Sequence, residues 1–76
     1  MYIVKHNIPN IGFKESIGPL RKNYAIATYQ KIKALCIRKG YNCKNTERLD
    51  STNEPIRATI EVEVDGFSYY AELFSV

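Results

Sequence analysis

Seventy-six residues, 45% hydrophobic and 25% charged, fit one small globular domain and lie outside the compositions of disordered or fibrous chains. A chain this short buries only about 60–65% of its unfolded surface, which leaves little core to hollow into a substrate pocket and favours recognition by an exposed surface. The net charge of +3 is unevenly placed: residues 1–48 carry ten Lys or Arg against Glu15 and Glu47, a net of +8, whereas residues 49–76 carry Arg57 against six Asp or Glu, a net of −5. Such asymmetry permits an oriented electrostatic partner.

The first residues, Tyr2-Ile3-Val4, are β-prone. From Asn7 to Pro19 the chain is punctuated by Gly and Pro, yet Ile8, Ile11, Phe13 and Ile17 recur every two to four positions. This spacing predicts a loop that lays apolar side chains onto the core. A helix is expected over residues 19–39. Gly18 would cap it, Pro19 would take the first helical position, and Gly40 would end it behind Arg38 and Lys39. At 100° per residue Ala25, Tyr29, Ile32 and Cys36 fall within about 60° of one another and mark the buried stripe; Ile26 and Ile37 on its shoulder either widen it, the favoured reading, or form a contact surface.

Tyr41-Asn42-Cys43 predicts a short strand, and Lys44 to Pro55 a polar loop with strand character only at its first residues. The clearest local signal is last. Ile56, Ala58, Ile60, Val62 and Val64 alternate with polar residues up to Asp65-Gly66, a two-residue type I′ hairpin turn between strands 56–64 and 67–75. Pairing Val64 with Phe67 sets Val62 by Tyr69, Ile60 by Ala71 and Ala58 by Leu73, an apolar face that the helix must cover. The fold class is therefore α+β, a two-layer sandwich of one long helix on a three- or four-stranded antiparallel sheet, in the order β-loop-α-β-β-β.

No apolar run approaches the roughly 20 residues that span a bilayer, and Met1 to His6 is too short and polar for a signal peptide. A cytoplasmic setting without membrane contact is expected. Cys36 and Cys43 read as buried free thiols rather than a disulfide framework.

Catalytic chemistry finds no constellation in the sequence. One imidazole, His6, sits near the start of the chain and is expected at an exposed or edge position. Glu61 and Glu63 share a strand face, but glycosidase chemistry needs two carboxylates in a cleft. No Cys-x-x-Cys and no Gly-rich phosphate loop occurs, so no catalytic residue, metal site or cofactor is assigned.

Binding is what remains, and a protein partner is expected first. The face of the hairpin away from the helix carries Arg57, Tyr70, Glu72 and Phe74, aromatics among charges as at interface hot spots. If the C-terminal strand is a sheet edge, a homodimer could pair along it. Alternatively the loop at 7–19 folds back and covers Tyr70 and Phe74. Ile, Asn, Lys and Tyr are abundant and Trp is absent. That flavour of an AT-rich gene points to an accessory protein of a phage or mobile element that modulates or inhibits a host enzyme or defence complex. The second expectation is a nucleic-acid-binding protein using Lys22, Lys31, Lys33 and Arg38. The third is a small ribonuclease toxin, disfavoured by the acidic hairpin.

Overall fold

A computed structural model describes residues 1–48 and 57–76. The chain runs β1 (Tyr2–His6), β2 (Ser16–Leu20), α1 (Lys22–Arg38), β3 (Asn42–Arg48), β4 (Arg57–Val64) and β5 (Phe67–Ser75). All strand pairings are antiparallel, and the spatial order is β2-β1-β5-β4-β3. The expected α+β two-layer architecture is present, with five strands in place of three or four. Ile56 and the centre of the polar stretch before it lie outside the described residues.

The terminal hairpin follows its sequence pattern. Asp65 and Gly66 both have positive φ, 51° and 82°, as a type I′ turn requires. The ladder pairs Val64 with Phe67, Val62 with Tyr69, Ile60 with Ala71 and Ala58 with Leu73. Ala58, Ile60, Val62, Ala71 and Leu73 are buried under the helix residues Ala25, Tyr29, Ile32 and Cys36. The wheel placed that helical stripe correctly, but its shoulder is half right: Ile26 packs on the core, whereas Ile37 is 58% exposed.

The helix C-terminus is a Schellman motif. The Gly40 N–H donates to the Ile37 carbonyl and the Tyr41 N–H to the Cys36 carbonyl, with Gly40 at φ 80°. Its N-terminus differs from expectation. Arg21 is the N-cap, in extended conformation and with no side-chain cap hydrogen bond, and Lys22 is the first helical residue. Gly18 and Pro19 belong instead to β2. The register explains this: Tyr2 faces Leu20 and Val4 faces Ile17, so Gly18 and Pro19 together oppose Ile3 in a β-bulge. Gly18 is required there, since its φ is 131° and a Cβ would stand 2.8 Å from the Tyr2 carbonyl oxygen. A local Gly-Pro signal was overridden by a long-range pairing.

The segment from Asn7 to Glu15 does lay its side chains on the core. Ile8 and Ile11 are buried, and Phe13 packs against the same cluster. Strand β3 runs to Arg48, so the polar segment begins later than its composition implies.

His6 corrects a second expectation. It is 4% exposed and lies in β1, an interior strand between β2 and β5. Its Nδ1 accepts the Ile8 N–H at 3.1 Å, and its Nε2 donates to the Phe13 carbonyl at 3.0 Å. The neutral Nε2–H tautomer uses both nitrogens, and the ring staples the 7–15 segment to the sheet. The third correction concerns β5. It is bonded on one side to β1 and on the other to β4. A homodimer along the C-terminal strand therefore has no free edge there; β2 and β3 are the edges.

Candidate binding surfaces

The helix covers one face of the sheet. On the other, strand alternation sets side chains in cross-strand rows. Ile3 stands opposite Phe74; Lys5 opposite Glu72, and Glu72 opposite Thr59; Tyr70 opposite Glu61, and Glu61 opposite Lys44. Arg57 precedes Ala58, which pairs with Leu73, so Arg57 lies beside Phe74. The four residues expected for a protein partner, Arg57, Tyr70, Glu72 and Phe74, thus share one face. Tyr70 is 41% exposed and Phe74 is half-buried. The Lys5 ammonium sits 5.8 Å from the Phe74 ring centroid, a cation–π contact of about 0.5–1 kcal/mol at an exposed site.

The backbone of this surface is fixed by Asn7. The Tyr70 N–H donates to Asn7 Oδ1 at 2.8 Å, and the Asn7 N–H donates to the Tyr70 carbonyl at 3.1 Å. Beyond that anchor the segment turns away. Ile8 and Ile11 join the core on the helix side, and Phe13 flanks the helix, so they do not cover Tyr70. A hollow of about 40 Å³ among Asn42, Lys44, Glu61 and Glu63 has room for little more than one water molecule. Glu61 and Glu63 stand on this open surface, countered by Lys44, and among the described residues no cleft encloses them.

The second surface lies on the helix. Phe13, Lys31, Ala34, Leu35 and Arg38 line an open groove of about 240 Å³. The residues expected for nucleic acid divide. Lys31 and Arg38, seven positions apart, flank this groove and are exposed; Lys22 and Lys33 are half-buried and project from the opposite side of the helix. The helix holds no Asp or Glu.

The remaining chemistry-bearing groups are withdrawn. Both nitrogens of His6 are engaged in the interior. Burial, and after it the neighbouring Cys43 thiol, pushes the Cys36 thiol above its ordinary range; burial does the same to Cys43. Both thiols stay protonated at neutral pH and are poor nucleophiles. Among the described residues no group of three or more His, Cys, Asp or Glu is placed to hold a metal ion, and no helix is long and apolar enough to cross a membrane.

No family model, curated protein or solved structure matches this chain.

Sequence reasoning missed Ile3 and Lys5 beside Phe74, and Phe13 in the groove. The first two need the β1–β5 pairing, which no local pattern encodes. For Phe13 there was a signal in the apolar spacing of residues 8–17, but it did not say which layer the loop would meet.

Proposed function

We propose that this protein is a non-enzymatic binding module that docks a larger protein through the open face of its sheet. The observation that supports this is the exposed Tyr70 and the half-buried Phe74 on the open face, interleaved with charges of both signs: Glu72 between them, and Lys5, Arg57 and Glu61 on the neighbouring strands. Aromatics interleaved with charges of both signs suit a protein surface of complementary, alternating charge. It does not suit a polyanion, which Glu61 and Glu72 would repel. A cytoplasmic accessory protein of a phage or mobile element, modulating or inhibiting a host enzyme or defence complex, is the setting that fits its size and AT-rich flavour.

The test is affinity capture from the native cell with nuclease present, using the parent chain, the Tyr70→Ser/Phe74→Ser double variant and Tyr70→Ser alone. We expect a stoichiometric protein partner with the parent, lost with the double variant and weakened by Tyr70→Ser, while the Tyr70→Ser melting midpoint moves by less than about 4 °C, the shift that roughly 1 kcal/mol gives in a domain this size. Capture unaffected by either variant, or a large drop in midpoint from Tyr70→Ser, would mean that this face is structural.

A further inference from the structure

We propose that the groove beside the helix is a second, independent binding site that takes single-stranded nucleic acid. Three observations meet there. The groove has an apolar wall of Phe13, Ala34 and Leu35 with Lys31 and Arg38 at its rim. Phe13 offers a ring for an unstacked base, while the two cations reach the phosphates on either side. Aromatic stacking together with a cationic track is the chemistry by which proteins hold single strands without reading sequence.

The track continues along the helix. Tyr24, Lys31 and Arg38 recur every seven residues, so each follows the last by about 10.5 Å with only about 20° of drift around the axis. Tyr24 is 68% exposed and supplies a second stacking platform at the far end of the stripe. The small side chains of Ala27 and Ala34 border it and let a strand approach the helix closely.

Charge selects the occupant. On the groove side the helix carries Lys31 and Arg38, and along its whole length it holds no acid. Outside the groove Lys14 and Glu15, next to Phe13 in the chain, cancel each other. Glu61, Glu63 and Glu72 stand on the far face of the sheet, screened from the groove by the core. A polyanion lying along this stripe meets Lys31 and Arg38 and no carboxylate of the helix. A duplex fits less well, since its bases are stacked and leave Phe13 and Tyr24 without a partner.

Fluorescence anisotropy with a labelled 12-nucleotide thymine DNA strand tests this, beginning at about 20 mM salt. The parent chain should bind, and log K should fall linearly with log salt, by about 0.7 for each phosphate neutralised. Lys31→Gln/Arg38→Gln should weaken binding at least tenfold and reduce the slope by about 1.4, the share of two phosphates. Tyr24→Ala should weaken binding at least fivefold and leave the slope unchanged, which a purely electrostatic contact would not do. All three positions are exposed apart from their role in the groove, and a melting curve on each variant confirms that it is folded. No binding at low salt, tighter binding to the matching duplex, or indifference to Lys31→Gln/Arg38→Gln in a folded variant would each overturn the proposal. An unchanged affinity for Tyr24→Ala would remove the extension along the helix.

Discussion

Replacing His6 tests the part of the structure that local sequence pattern misplaced. The imidazole is 4% exposed, and it holds the Ile8 amide on Nδ1 and the Phe13 carbonyl on Nε2. His6→Phe keeps most of the volume and removes both hydrogen bonds. The buried Ile8 N–H then has no acceptor, at a cost of about 1–3 kcal/mol. His6→Ala adds the lost packing of a ring and should cost roughly 2–5 kcal/mol, as other buried large-to-small changes do. A 76-residue fold has on the order of 4–11 kcal/mol in total at the usual 0.05–0.15 kcal/mol per residue. The alanine variant therefore sits near the limit of folding. Urea denaturation followed by circular dichroism should show a lower midpoint with an unchanged m-value. Hydrogen exchange should show the Ile8 amide losing protection in both variants, because the segment that carries Ile8, Ile11 and Phe13 is released with it. If His6→Phe costs under about 0.5 kcal/mol, or Ile8 stays protected, the ring is a spacer and not a staple.

Two further predictions bear on the core. Ile32→Ala should cost roughly 2–5 kcal/mol, whereas Ile37→Ala, on the same helix but 58% exposed, should change urea stability by less than about 0.5 kcal/mol; similar losses at both sites would show that the buried stripe is misassigned. Stability should also fall as pH rises above the ordinary thiol value of about 8.5. Burial raises the Cys36 pKa, so the folded state binds more protons than the unfolded chain above that pH, and unfolding becomes easier with each step upward. Urea midpoints between pH 7 and 10 for the parent and Cys36→Ala should therefore converge at high pH; a gap independent of pH would contradict the burial of the thiol.

What was legible in the sequence was local. Alternation from Ala58 to Val64, the Asp65-Gly66 turn and the helical spacing of Ala25, Tyr29, Ile32 and Cys36 each encode their own geometry within a few residues, and each is found as expected. The first hairpin was not legible. Ser16–Leu20 contains Gly18 and Pro19, which disfavour a regular strand, and it pairs with β1 only through a bulge that absorbs both. Without that pairing Pro19 looks like a helix start. The burial of His6 follows from the same hairpin together with the β1–β5 pairing, the latter joining residues nearly the whole chain apart. The aromatic face was half legible: the hairpin register put Tyr70, Glu72 and Phe74 together, but only the placement of β1 brings Ile3 and Lys5 beside them.

The uneven charge of the sequence takes its meaning from the layering. Read along the chain, a +8 half beside a −5 half could as well fold upon itself and cancel. Cancellation would require the acids to alternate toward the helix. The acids of the described strands do not: along β4 the inward positions are Ala58, Ile60 and Val62, so Glu61 and Glu63 project outward, and Glu72 does the same between Ala71 and Leu73. Burial of the apolar alternation therefore expels Glu61, Glu63 and Glu72 to the open face, with the helix on the other side of a packed core. Lys5 and Lys44 temper the acidic side because they occupy the same outward rows, opposite Glu72 and Glu61. Nothing in the helix tempers the basic side, since its seventeen residues include no carboxylate. Hydrophobic patterning, and not direct attraction between the charges, thus separates a mixed-charge face from a basic one. The two are chemically unlike, and the same ligand would not be expected to satisfy both.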